Sequence, residues 1–249
     1  VRPDRLPLLH EVADAVAAAF ATVTDFGPSG IREGQYALDV IANDAALPLL
    51  RAAGLGVLSE ESEFEQGSSG EVVVIDPIDG STNASRGLPW YATALCVVDD
   101  DGMAAALVVN QATGDRFWAS RGGGAYRNGA PIRPSGCHVV AESLVCLNGL
   151  PPASLGQRQS RSYGAAALDL CMVACGVFDA YVDCDTEAHG VWDYLASTLI
   201  CREAGATVVD ALDRDLVVLD RAARRTPVAA ATPALCDALV AARLSRAAR

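Results

Sequence analysis

The sequence predicts an α/β protein of stacked helix and sheet layers, with mixed, partly antiparallel sheets. Three observations carry that expectation: two amphipathic helical stretches at the start, a hairpin-rich run of strands in the middle, and alternating strand and helix over the last hundred residues.

Leu6 to Val23 and Tyr36 to Ala53 place apolar residues three and four apart, the period of a helix with one buried face. Gly27-Pro28-Ser29-Gly30 forms the loop between them, and Gly54 stops the second helix. Gly56-Val57-Leu58 then reads as a short strand ending at Glu60-Glu61. Val72-Val73-Val74-Ile75 is a β-branched run suited to a buried strand, and it ends at Asp76. Tyr91 to Val98, Ala104 to Asn110 and Asp115 to Ala119 follow as strands, separated by Asp-Gly and Thr-Gly turns. Gly122-Gly123-Gly124 and Asn128-Gly129 read as further tight turns. In the last hundred residues, strands are expected at Ser143 to Leu147, Val177 to Val182, Thr207 to Val209, Leu216 to Leu219 and Val228 to Ala231. Helices are expected at Ala165 to Ala174, Val191 to Ala204 and Pro233 to Leu244. Pro151-Pro152 marks a junction, dividing an N-terminal α+β half (1–149) from a C-terminal α/β half (150–249).

Composition narrows the function classes. About half the residues, 51%, are apolar, so a sizeable core can form. Asp and Glu number 31 against 19 Lys and Arg. This net charge of -12 repels a phosphate backbone and argues against nucleic acid as a partner. A phosphorylated small molecule meets the same repulsion unless divalent cations stand between carboxylates and phosphate. The eight cysteines are scattered through apolar surroundings, with no second pair of ligands at finger-like spacing near Cys171 and Cys175. They read as reduced core residues, which fits a cytoplasmic location. Leu6 to Thr24 is interrupted by Glu11 and Asp14 and reads as an amphipathic helix, and no apolar run reaches bilayer-spanning length, so no membrane is expected as a partner.

The chemistry gathers in Asp76-Pro77-Ile78-Asp79-Gly80-Ser81-Thr82-Asn83. Two acids flank a proline at a strand end, where the chain can turn both carboxylates to one side. Gly80 permits close backbone approach, and the residues after it supply hydroxyls and free N–H groups at a helix start. A helix cap alone needs one acid, whereas this octet supplies two. Glu60-Glu61, at the end of a neighbouring strand, adds to them.

The octet resembles the metal-binding signature of the inositol monophosphatase family, magnesium-dependent and lithium-sensitive phosphatases, with Ser81 where the family usually has Thr. Leu58-Ser59-Glu60-Glu61-Ser62 is similar to the family's paired-glutamate motif. Gly190-Val191-Trp192-Asp193 with Ala204-Gly205-Ala206 resembles its second signature. The three motifs occur in the family's order, and the similarity runs from Leu6 to Leu244. The resemblance implies a layered αβαβα sugar-phosphatase-like fold, two or three Mg2+ ions, a small phosphorylated substrate and a homodimer. It implies that Glu60, Asp76 and the Ile78 carbonyl hold one ion, and that Asp76, Asp79 and Asp193 hold a second. Glu61 would support a third, and Gly80 and Ser81 would donate N–H groups to the phosphate. Glu60 and Ser81 would orient the attacking water, assisted by Asp44. On the second helix Asp39 is assigned to a solvated face. Ala165 would lie beneath the substrate ring and Asp183 would contact substrate hydroxyls, a role Asp185 or Glu187 could equally take, because the loop before Trp192 is longer than the family's usual one. Arg32-Glu33-Gly34 and Val40-Ile41 stand where the family often has a lysine and a Val-Thr pair, so loop closure differs. The histidines and Trp90 and Trp118 are read as packing or surface residues, with His189 alone near the site.

The function expected is hydrolysis of a small sugar or cyclitol phosphate, inositol monophosphate by default. Histidinol phosphate, fructose 1,6-bisphosphate and a nucleoside phosphate are the alternatives within the class. A metal-dependent phosphoester-binding protein without turnover is the alternative outside it.

Overall fold

The computed structural model describes residues 3–32, 34–151 and 153–247; Glu33 and Pro152 lie outside the described residues. The element order is α1 (Leu6–Phe20), α2 (Ala37–Ala52), β1 (Gly56–Ser59), β2 (Val72–Asp79), α3 (Ser81–Ser85), β3 (Ala92–Asp99), β4 (Gly102–Asn110), β5 (Arg116–Ser120), β6 (Gly124–Arg127) and β7 (Ala130–Pro131). A short 3₁₀ turn at Val140–Glu142 leads to β8 (Leu144–Asn148), β9 (Gln159–Arg161), α4 (Ala166–Ala174), β10 (Ala180–Asp183), α5 (Val191–Ala204), β11 (Thr207–Asp210), β12 (Pro227–Ala230) and α6 (Pro233–Ala247).

Strands β1 to β7 form one sheet in sequence order, and β11-β12-β10-β8-β9 form a second. Alternation along each strand sends side chains to opposite faces, which is what lets helices cover both sides of each sheet. Val73, Ile75, Leu95, Val97 and Leu107 face α1 and α2, where Leu9, Val12, Leu38 and Ala42 meet them. Val74, Ala94, Cys96, Ala106 and Val108 face the other way, onto α4 and α5. The second sheet turns Cys146, Tyr181, Val208 and Ala229 toward that same middle layer. Its far face, with Val145, Val182, Val228 and Ala230, packs on Leu235, Cys236 and Leu239 of α6. The result is the expected five-layer αβαβα stack, with α5 buried on nearly every side between two sheets.

Two local features aim the acidic residues. Strand β1 runs parallel to β2 with Ser59 level with Ile75, so the next residue on each strand, Glu60 and Asp76, emerge side by side. Asp76 and Asp79 are three apart and would point to opposite faces of a regular strand. The pairing with β3 shifts between them, because Asp76 is level with Ala94 and Asp79 with Ala92, so that Pro77 and Ile78 oppose Thr93 alone. This bulge inserts one residue, reverses the parity and turns Asp79 to the face already occupied by Asp76, while Ile78 packs with the α1/α2 side.

Where elements depart from expectation, tertiary partners explain it. Leu216 to Leu219, expected as a strand, is irregular. Its apolar side chains pack on the middle layer, and the Leu216 carbonyl accepts a hydrogen bond from the Tyr194 hydroxyl at 2.9 Å. The strand expected from Val177 starts at Ala180. Strands β6 and β7 were not expected; they form around the Asn128-Gly129 turn, whose φ angles of 51° and 85° suit a tight hairpin. All eight cysteines are free thiols. No helix among the described residues is long and apolar enough to cross a membrane.

The bulge rests on Thr93, whose hydroxyl donates to the Pro77 carbonyl at 2.8 Å and accepts from Gln111 Nε2 at 2.8 Å. Thr93→Val leaves that buried carbonyl without its donor, a loss of about 1–3 kcal/mol. At roughly 2–4 °C per kcal/mol for a chain of this size, the thermal midpoint should fall by several degrees. An unchanged midpoint by calorimetry would show that the bulge holds without Thr93.

Candidate active site

Four acids meet where the end of β1, the bulged end of β2 and the start of α5 come together. A carboxylate oxygen from each of Glu60, Asp76 and Asp193 lies within 4.8 Å of the other two. Asp79 stands beside them, and the charge that acts on it most strongly is that of Asp193. Each acid commits part of its capacity to the fold and keeps the rest. Asp76 Oδ1 accepts from the Ile78 N–H at 3.0 Å, and Asp79 Oδ2 from the Ala167 N–H at the start of α4 at 2.7 Å. Asp193 is the third residue of α5, and its Oδ2 accepts from the Gly190 N–H at 2.8 Å, the acid's half of a capping box.

Burial and mutual repulsion push Glu60, Asp76 and Asp79 well above the ordinary carboxylate range, with burial the larger cause for each. Like charges this close are costly unless protonated or bridged by a cation. The donors are all hard carboxylate oxygens, the set that suits Mg2+. The four acids therefore fit a divalent-cation site.

After Asp79 the chain turns at Gly80, with φ of 84°, into α3. The first N–H groups of that helix have no intrahelical acceptor. A Cβ at Gly80 would lie 3.0 Å from both the Ala165 Cβ and the Trp90 carbonyl, so both space and backbone angle require glycine. Asn83, the last residue of the octet, ties α3 to the neighbouring loops, since its Nδ2 donates to the carbonyls of Trp90 at 2.8 Å and Tyr163 at 2.7 Å.

Beside the acids lies a cavity of about 350 Å3. Asp39, Glu60, Glu61 and Ser81 line it together with Arg32, Arg221, Arg224 and Trp192. Arg221 and Arg224 stack over the Trp192 ring at 5.8 and 5.5 Å. Arg32 Nη1 and Arg221 Nη2 both donate to the Glu60 carbonyl, at 3.0 and 2.7 Å, and so hold the Glu60-Glu61 turn in place. Glu61 is engaged by Arg32 Nη2 at 2.8 Å and by Gln35 Nε2.

Four of the residues weighed in the sequence take up these positions in the structure. Asp44 is exposed on α2 and electrostatically close to Arg51, away from the cavity; Asp39, assigned to a solvated face, is the acid that lines it. The reason is where the helix begins. Asp39 is its third residue and its Oδ2 accepts from the Tyr36 N–H at 2.8 Å, which turns it inward. Its Oδ1 is buried with no hydrogen-bond partner among the described residues, and burial raises its pKa to about 7, partly offset by the Tyr36 N–H. Ala165 is sealed behind Gly80 rather than open to a ligand. Asp183 has no exposed surface, because its loop folds back and His189 covers it. Arg221 and Arg224 escaped the sequence reading, and His189, placed near the site, was given no role there. Lone cations in loops carry no periodic signal, although the departure at Arg32 and the lengthened loop before Trp192 marked the two regions concerned.

Stacked α/β layers and a buried carboxylate cluster at strand and helix ends define a hydrolase-like scaffold with a divalent-cation site. The family model of the inositol monophosphatase family matches residues 42–247. A fructose-1,6-bisphosphatase/inositol-1-monophosphatase of Archaeoglobus fulgidus is 35% identical over 220 residues, covering 83% of this chain and 84% of that protein. Its counterpart in Methanothermobacter thermautotrophicus is 32% identical, covering 78% and 77%. The solved structure of an inositol monophosphatase-fructose 1,6-bisphosphatase superposes with a TM-score of 0.83 at 26% identity, over 96% of this chain and 100% of that one. The chain belongs to the inositol monophosphatase family, and with it to the phosphoric monoester hydrolases.

The crowded acids also fix how stability responds to pH and metal. A carboxyl whose folded pKa lies above its unfolded value keeps its proton in the native state while the unfolded chain releases it. Stability therefore falls as pH rises through that interval. In chelator, the thermal midpoint should drop from pH 5 to pH 8, and magnesium chloride should raise it by more at pH 8 than at pH 5. An equal metal effect at both pH values, read by scanning fluorimetry, would contradict the crowded-acid account.

Proposed function

We propose that this chain hydrolyses a small phosphomonoester of a sugar or cyclitol, inositol monophosphate by default, in a magnesium-dependent reaction. The observation that carries this reading is the convergence of Glu60, Asp76, Asp79 and Asp193 from three separate elements beside the α3 N-terminus. Those four side chains, with the Ile78 carbonyl, would hold two ions, and Glu61 would support a third. When bound, magnesium screens the negative charge of the phosphate and acidifies water in contact with it.

The chain's own groups do the rest. The amides of Gly80 and Ser81 at the start of α3 orient the phosphate oxygens, as helix N-termini do for anions. Asp39 Oδ1, buried beside Ser81 and unpaired among the described residues, accepts a proton from the attacking water and aligns it for in-line attack. Arg32 and Arg221 keep Glu60 in register through its backbone carbonyl. The free cysteines are buried or half-buried, burial raises the thiols of Cys96, Cys146, Cys171 and Cys201, and none of these lines the cavity, so no covalent intermediate is invoked. The resemblance also carries a homodimer in the cytoplasm.

A panel of phosphate esters assayed for inorganic phosphate release with magnesium tests the reading. Inositol 1-phosphate, fructose 1,6-bisphosphate, histidinol phosphate and a nucleoside monophosphate separate the candidate substrates. Asp79→Asn and Asp193→Asn should each reduce turnover to background while far-ultraviolet circular dichroism stays unchanged. Measurable turnover in both would rule out the two-ion arrangement, and tight ester binding without phosphate release in the parent protein would favour a binding role.

Asp39→Asn should lower kcat by about 10²–10⁴-fold, the range for a lost general base. Asp44→Asn should leave kcat within about twofold, since surface changes away from a site act weakly. The reverse ranking would restore Asp44 to the mechanism.

A further inference from the structure

His189 stands where two acidic regions would otherwise join. Its Nδ1 lies 3.3 Å from Asp193 Oδ2, its Nε2 lies 2.8 Å from the Tyr181 hydroxyl, and Asp183 Oδ2 is 3.7 Å from Nε2. The ring is also close enough to act electrostatically on Asp79 and Asp169. Asp183 has no exposed surface, and its Oδ2 has no hydrogen-bond partner among the described residues; its Oδ1 is taken by Asn148 Nδ2 and the Asp185 N–H, both at 3.0 Å. The imidazole thus stands between the acid cluster and the fully buried side chains of Asp183 and Tyr181.

The loop that carries the ring is held by its backbone. The His189 carbonyl accepts from the Arg225 N–H at 2.9 Å, Thr226 Oγ1 donates to the Thr186 carbonyl at 3.2 Å, and Arg243 on α6 donates to the carbonyls of Asp183 and Asp185. The lengthened loop between Asp183 and Trp192 is what delivers the ring to this place.

The volume that the imidazole fills is a recess bordered by Asp183 and Asp193, and it has the chemistry of an ammonium site: two carboxylates around one small volume, with the Tyr181 hydroxyl beside them. Without the ring, an amine on the alcohol part of a phosphate ester would find Asp183 waiting. With the ring in place, ring nitrogens already fill that position. We propose that His189 is a specificity-determining residue: its imidazole fills the acid-lined recess in which the ammonium of an amino-alcohol phosphate would sit, and so restricts the site to esters of uncharged alcohols. This rests on the phosphomonoesterase reading and decides between its candidate substrates, favouring cyclitol and sugar phosphates over histidinol phosphate.

The test compares kcat/KM for two amino-alcohol esters, phosphoethanolamine and histidinol phosphate, with that for two neutral ones, glycerol 2-phosphate and inositol 1-phosphate. In His189→Ala the ratio of amino to neutral esters should rise about tenfold, carried by KM, as expected for a new hydrogen bond to a charged group. His189→Gln, which still fills the recess, should keep the parent ratio. Asp183→Asn in the parent background should leave the ratio where it is, and in His189→Ala it should erase the gain. An unchanged ratio in His189→Ala, or a shifted one in Asp183→Asn alone, overturns the proposal. A second measurement does not depend on turnover: calorimetric titration of metal-free protein with histidinol should show binding to His189→Ala but not to the parent or the double variant. Histidinol binding to the parent, or none to His189→Ala, overturns the proposal as well. Absence of phosphate release from every ester would instead sink the phosphomonoesterase reading and leave the titration to judge His189.

Discussion

Everything at this site depends on holding four carboxylates together against their own repulsion. Burial makes that repulsion worse, since the interior screens charge less well than water. The fold bears this cost through rigid placement from independent elements. A parallel register sets Glu60 beside Asp76, a bulge turns Asp79 to the same face, and a capping box fixes Asp193 at the start of a helix wedged between two sheets. None of the three can relax without disturbing a layer interface, so the charges stay poised for a cation.

The five-layer stack explains why these elements end at one place. The middle helices are covered by sheets on both sides, which makes α5 nearly all buried and its N-terminus a fixed point. Around that point the loops close inward. Arg32 and Arg221 reach the same Glu60 carbonyl from opposite ends of the chain, and Arg221 and Arg224 rest on Trp192. In a chain with a net charge of -12, these guanidinium groups bring positive charge to the lining of an acidic cavity.

The same crowding makes the alcohol side of the site selective. His189 spends both ring nitrogens on internal partners, Asp193 and Tyr181, and closes Asp183 behind it. Specificity here arises from occupying a recess with the protein's own side chain, which is a way of refusing a ligand as much as of accepting one.

The amino-acid sequence by itself determined the layer pattern, the strand run Val72 to Ile75 and the octet that follows it, because periodicity and residue chemistry are local properties. It also grouped Glu60, Asp76, Asp79 and Asp193, through the resemblance of three short segments to the motifs of a known family. Tertiary structure alone decided which way each side chain points. Asp39 and Asp44 sit on one helix, yet one lines the cavity and the other faces water, because the starting residue of α2 and its packing set the rotation. Leu216 to Leu219 has strand-like composition but lies where α5 offers better packing than a sheet edge. Asp183 carries the chemistry for a substrate contact and is fully buried, with His189 from the loop just downstream beside it. The physical reason is common to all three: direction and exposure come from how separate segments pack against one another, and no local pattern encodes them.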